Sequence, residues 1–157
     1  MTKVHEKKMI AQNKRARFDY HIESTIEAGV MLQGSEVKSL RQGKGSISES
    51  YASSEGTNDL YLINSFIPEY IEANRFNHSP TRPRKLLLKR RELNKLLGAV
   101  RKKGMTIVPL NLYFNSRGMV KLEIALVSGK NKADKRATEK ERDWKRDQSR
   151  ILKGDMD

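Results

Sequence analysis

Residues 105–127 read MTIVPLNLYFNSRGMVKLEIALV, and their pattern decides the fold class. Val120, Leu122, Ile124 and Leu126 alternate with Lys121 and Glu123, the period of a strand with one dry face. Met105–Phe114 is a second strand-like run, and Asn115-Ser-Arg-Gly118 between the two has turn chemistry. Together they predict an antiparallel hairpin. Toward the N-terminus, Tyr20, Ile22 and Ile26 alternate with His21, Glu23 and Glu27, a half-buried strand that bends at Ala28-Gly29 and continues through Val30-Met31-Leu32. Ile47–Tyr51 and Leu60–Ile67 predict two more strands, joined by the polar loop Ser53–Asp59. Arg90–Lys103 is the one strong helix, with Leu93, Leu96, Leu97 and Val100 at i, i+3, i+4 and i+7 and Gly104 beyond its end. A shorter helix is expected over Gly34–Arg41, capped by Ser35, with Val37 and Leu40 turned inward and Lys38 and Arg41 left wet. Glu69–Arg84, following Pro68 and containing Pro80 and Pro83, predicts an ordered connection without regular structure. The fold class is therefore mainly β with helices, the strands antiparallel and short.

A length of 157 residues allows one domain and a tail. The net charge of +13 is segregated along the chain. Residues 1–17 hold six cations against Glu6, residues 75–103 hold eleven against Glu92, and residues 18–74 carry nine carboxylates to three cations. Two cationic stripes flanking an acidic body predict a localised polyanion site, which a uniform solubility charge would not produce. Residues 1–17 are expected to form a basic arm whose last part, Ile10–Arg17, becomes ordered against the body, and residues 18–129 form the domain. The chain has no cysteine, so disulfides and thiolate metal sites are excluded. With no long apolar run and no secretory leader pattern, a cytoplasmic protein without membrane contact is expected.

Catalytic patterns are missing. Gly43-Lys44 lacks the earlier glycine of a phosphate-cradling loop, since Lys38 stands there. His5, His21 and His78 have no ligand spacing and are expected to be solvated or to face the polyanion, so no metal and no cofactor is expected. Glu23 and Glu27 on one strand face do not make an acid–base site, and no serine has a His–Asp partner pattern. Tyr20, Tyr51 and Phe66 fit core positions, whereas Phe18, between the basic arm and the first strand, would stack on a base if exposed.

From Lys130 the character changes. Residues 130–157 hold ten cations and seven carboxylates, with Trp144, Ile151, Leu152 and Met156 as their only large apolar groups. Ordering costs about 1–2 kcal/mol per residue, more than so little apolar area offsets. Ala137, Trp144 and Ile151 recur every seven residues, and Glu141 pairs with Lys145 at i,i+4. A surface helix packed on the domain is the alternative. The composition favours a tail disordered when free and helical against a partner.

Four collinear blocks carry a family resemblance. Gly34–Arg41 (GSEVKSLR) with Ser46–Ala52 (SISESYA), Ala11–Arg17 (AQNKRAR), Ser79–Leu93 (SPTRPRKLLLKRREL), and Asp134-Lys-Arg136 with Glu139–Lys145 together resemble the SmpB family, the bacterial SsrA-binding proteins. The resemblance implies a small oligonucleotide-binding-like barrel. It also implies an RNA-binding adaptor that holds the tRNA-like domain of transfer-messenger RNA (SsrA) and brings it to stalled ribosomes for trans-translation. The tail would enter the decoding centre of the small subunit and the empty messenger channel. Carried across residue by residue, the implied RNA contacts are Asn13, Lys14, Phe18, Glu27, Glu36, Lys38, Arg41, Arg84, Lys85 and Leu87. Glu27 either accepts from a base or ribose hydroxyl or locks the site internally, and for Leu87 a core role competes. The implied ribosome contacts are Asp134, Lys135, Arg136, Lys140, Arg142, Trp144, Lys145 and Ile151. Where the family commonly has an aromatic or histidine before Asp-Lys-Arg, this chain has Ala133, so no stack can come from that side chain. Alanyl-tRNA synthetase and elongation factor Tu are partners expected through the RNA, and the protein is expected to be a monomer. A constitutive ribosomal protein and a nucleic-acid-modifying enzyme are the rival classes.

Overall fold

The computed structural model describes residues 7–54, 56–72, 77–129, 144 and 146. Its elements run β1 (Lys8–Gln12), α1 (Ala16–Asp19), β2 (Tyr20–Val30), α2 (Gly34–Arg41), β3 (Tyr51–Ser53), β4 (Leu60–Ile63), β5 (Arg84–Leu87), α3 (Arg90–Lys103), β6 (Thr106–Phe114) and β7 (Val120–Gly129). All strand pairings are antiparallel. Strands β6, β3, β4, β5, β2 and β7 follow one another laterally, and β7 pairs back with β6, so six strands close into a barrel. Closure gives each barrel strand a neighbour on both sides, although β5 meets β2 only at Gly29 and Val30.

The hairpin of residues 105–127 forms as expected, with Gly118 at φ +76 in the turn, where only glycine avoids a steric cost. Both of its faces bury apolar residues. Ile107, Leu112, Leu122, Ile124 and Leu126 point into the barrel with Leu60, Leu62 and Leu86. On the other face Val108, Leu110, Ala125 and Val127 are covered by Ala16 of α1, with Tyr20 and Ile22 beside them. The near-continuous apolar run of β6 has this cause. Pro109 offers no N–H to the ladder, and the register shifts between Pro109 and Asn111.

The helix α3 has the bounds that periodicity predicts and ends at Gly104 in the left-handed conformation. Its Leu93, Leu96 and Leu97 complete the barrel core. Of the basic arm, whose last part Ile10–Arg17 was expected to order against the body, Lys8–Gln12 is a strand paired with β6, in which Ala11 turns into the core while Lys8 and Met9 stay outside. Other expectations are corrected. The connection expected over 69–84 gives way at its last residue to β5, whose Arg84 and Leu86 point inward. Tyr51 and Phe66, expected in the core, are exposed at their strand and loop positions, whereas Tyr20 is half-buried.

Candidate nucleic-acid interface

The signature helix α2 is built around a buried carboxylate. Gln33 is its N-cap, forming a reciprocal capping box with Glu36, so Ser35 is not the cap. Glu36, Ser39 and Leu40 form the buried face and Val37 is half-buried, where Val37 and Leu40 were expected to lead. Glu36 Oε1 accepts from Gln33 N at 2.7 Å and from Arg82 Nη2 at 2.5 Å. Its Oε2 accepts from Arg84 Nε at 2.5 Å. Burial alone would push the Glu36 carboxyl up, but the hydrogen bonds from Arg82, the Gln33 amide and Arg84 outweigh it and hold the group below the usual carboxylate range. Arg84 is completely buried. Its Nη1 donates to Ser65 O (3.2 Å) and Ser65 Oγ (2.7 Å), and its Nη2 to Pro80 O at 3.1 Å. Burial pulls the Arg84 guanidinium down, with Glu36 opposing the shift.

This network corrects two expectations. Glu36 and Arg84 have no surface to offer RNA; they pin the 79–84 connection to α2 at one end of the barrel. His78 is likewise no solvated group. It is 3% exposed, and its Nε2 donates to Ile67 O at 2.8 Å, since a carbonyl can only accept. Nδ1 is then left to accept from Ser35 Oγ at 2.9 Å. Asn13 is corrected in the same way. It is buried, its backbone N–H donates to Leu110 O at 2.8 Å, and its Nδ2 donates to Pro109 O at 3.0 Å, spanning the irregularity in β6.

A second set of residues assembles elsewhere, on the outer face of β5, β2, β7, β6 and β1, around Tyr113, which is itself only 3% exposed. The registers place Leu87 opposite Gly29, Gly29 opposite Lys121, Lys121 opposite Tyr113 and Tyr113 opposite Met9. Residues in register share a face, so these five form one lateral row across five strands. Leu87 is 46% and Met9 41% exposed, which settles the competition over Leu87 in favour of the surface. Gly29 leaves the middle of the row flat: a Cβ there would stand 3.2 Å from the Leu87 Cβ. The next row holds Glu27, Glu123 and Asn111, with Asn111 Nδ2 donating to Glu123 Oε1 at 3.2 Å. Tyr113 links the rows, its hydroxyl donating to Glu27 across β7, and Lys7 Nζ sits 3.9 Å from the centre of its ring. Burial and the neighbouring carboxylates Glu27 and Glu123 push the Tyr113 phenol far above its ordinary range, so it stays a donor. Beyond these rows α1 covers the third, with Lys14 exposed and Phe18 half-buried beside it.

Of the other expected contacts, Lys38 and Arg41 are exposed on α2, with Lys38 Nζ 5.7 Å from the Tyr70 ring centre. Lys85 shares the outer face of β5 with Leu87 and forms a 3.6 Å surface pair with Asp59. Trp144 lies in a helical turn and is exposed. Asp134, Lys135, Arg136, Lys140, Arg142, Lys145 and Ile151 lie outside the described residues. Residue-type reasoning missed Lys7, Met9, Gly29, Tyr113 and Lys121. Tyr113 and Lys121 were findable, since both occupy outward positions of the hairpin directly across from each other. The described residues contain no group of three His, Cys, Asp or Glu able to hold a metal, and none of their helices is long and apolar enough to cross a membrane.

A sheet face with exposed Leu87 and Met9, a fixed carboxylate and a fringe of cations suits stacking and phosphate contacts with a folded polyanion. The chain is similar to known proteins. The family model described as SmpB protein matches residues 10–154. The chain is 61% identical over 148 residues to an SsrA-binding protein of Novosphingobium aromaticivorans, covering 94% of this chain and 92% of that one. It is 59% identical over 146 residues to an SsrA-binding protein of Afipia carboxidovorans, covering 93% and 92%. A solved chain described under "tmRNA-SmpB: a journey to the center of the bacterial ribosome" superposes with a TM-score of 0.63 at 46% identity, over 80% of this chain and 90% of that one.

Proposed function

We propose, from the premise that this chain belongs to the SmpB family, that it is an RNA-binding adaptor for transfer-messenger RNA. It holds the tRNA-like domain of that RNA on the barrel and delivers it to stalled ribosomes for trans-translation. It acts by binding alone, with no catalytic step, as a cytoplasmic monomer. Alanyl-tRNA synthetase and elongation factor Tu reach it through the RNA. The observation that carries this reading is the five-strand outer face, where buried Tyr113 fixes Glu27 and the row through it ends in exposed Leu87 and Met9. Glu27 accepts from a base or a ribose hydroxyl, Leu87 and Met9 pack against unstacked bases, and Lys7, Lys14, Lys38, Arg41, Lys85 and Lys121 meet phosphates.

Labour divides between body and tail. Residues 7–129 hold the RNA. The tail from 130 enters the decoding centre and the vacant messenger channel, with Asp134, Lys135 and Arg136 at the decoding site and Lys140, Arg142, Trp144, Lys145 and Ile151 on the channel-facing helix. Sequencing the RNA that co-purifies with the protein tests the reading: one discrete structured small RNA is expected, and mixed ribosomal fragments alone would refute it. Removing residues 130–157 should leave affinity for that RNA nearly unchanged and abolish ribosome rescue; a large loss of RNA affinity would break the division.

A further inference from the structure

Strand β2 is longer than its partner on one side. β7 pairs with it from Tyr20 to Gly29, whereas β5 meets only Gly29 and Val30. On that second edge, Ser24 to Ala28 face no strand among the described residues. Beside the edge a groove of about 390 Å³ opens between β2 and α3. Ser24 lies in register with Leu126 and Ile26 with Ile124, so both point toward the barrel side, away from Glu27 and the outer face. The floor of the groove is apolar, made by Ile26, Leu96 and Leu126. Its rim carries Lys89, Arg91 and Lys95 against the single carboxylate Glu92, and all three cations are exposed.

We propose that this groove docks an extended segment of a partner protein, which adds a strand to the open edge of β2. The segment places one apolar side chain between β2 and α3, and acidic side chains two residues to either side face Lys89, Arg91 and Lys95. Three features select this occupant together. A strand edge offers N–H donors and C=O acceptors in alternation, which another peptide backbone matches group for group. A phosphate backbone would meet carbonyl oxygens at every second position. The apolar floor takes an alkyl side chain, and a period of two returns the flanking residues to the same side, where the rim is cationic. The barrel side of β2 and its outer face are opposite, so the two sites do not compete for space.

The test is a nuclear magnetic resonance titration of the full chain with the blocked peptide Ac-TDTITDT-NH2. Expected are shift changes confined to the amides of Ser24–Ala28 and Lys89–Leu96, with slowed exchange of the β2 edge amides. Methylating alternate peptide nitrogens should weaken binding about tenfold, because the added strand loses its donors. The double substitution Arg91→Glu with Lys95→Glu should do the same, with the β6–β7 resonances unmoved as evidence of an intact fold. Several results would overturn the proposal. One is the absence of shifts at millimolar peptide, and another is equal binding of the methylated peptide. A uridine heptamer that binds the groove more tightly than the peptide would make it an RNA site. Peptide binding seen only after removal of residues 130–157 would assign the groove to the chain's own tail.

Discussion

Two regions of this molecule carry charge and put it to opposite uses. Around α2, Glu36, Arg82 and Arg84 satisfy one another at one end of the barrel, and Glu36 and Arg84 have lost contact with water altogether. On the five-strand face, Glu27, Lys121 and Lys7 keep unused bonding capacity directed outward around Tyr113. The first arrangement holds chain segments in place, and the second leaves them something to hold. A charged residue in a shared motif is therefore as apt to build the frame as the face, and burial separates the two roles.

The contrast breaks most sharply at Glu36. Replacing it by alanine strands two guanidinium groups, one of them fully buried, and should cost about 3–5 kcal/mol, read from urea unfolding. A loss below about 1 kcal/mol would mean that the network is not a frame. The same group sets a pH dependence. Its folded pKa is depressed, so its contribution is present above the unfolded carboxylate value of about 4.3 and is lost as pH falls through the folded value. Stability of the native chain should therefore fall more steeply with acid below about pH 4 than that of Glu36→Gln. On the open side, neutralising Lys38 and Arg41 together should leave stability within about 0.5 kcal/mol while flattening the salt dependence of RNA affinity by about 1.4–1.8 in log–log slope. An unchanged slope would make those cations idle. The smallest effect is expected at Tyr113→Phe, which frees the Glu27 carboxylate without opening the sheet. RNA affinity should drop by about 1 kcal/mol with little change in unfolding, whereas a purely structural tyrosine would show the reverse.

How much of this was legible in the residues depended on whether neighbours along the chain decide the outcome. Arg90–Lys103 was readable to the residue, because its apolar stripe and the following Gly104 act within one helix. The hairpin was readable because its turn and alternation are local. Strands β1 and β5 were hidden for a common reason: each mixes cations with apolar residues, and only a distant partner shows which side is inward. Tyr51 and Phe66 failed as core residues because strand parity there is set by β6 and by the Ser46–Phe66 bridge rather than by their own flanks. The site divided along the same line. Leu87, Glu27, Lys38 and Arg41 proved exposed, whereas Asn13, Glu36 and Arg84 proved to be internal ties.

What the amino-acid order alone determined is the family, the antiparallel mainly-β class, the long helix and the segregation of charge, all carried by short-range pattern or by collinear motifs. What tertiary structure decided is which members of those motifs meet solvent. Arg82 and Arg84 are cations like Lys38 until the chain brings them, across 46 and 48 residues, onto one carboxylate. Desolvation and pairing depend on what surrounds an atom in space, and closing the barrel is the step that creates those surroundings.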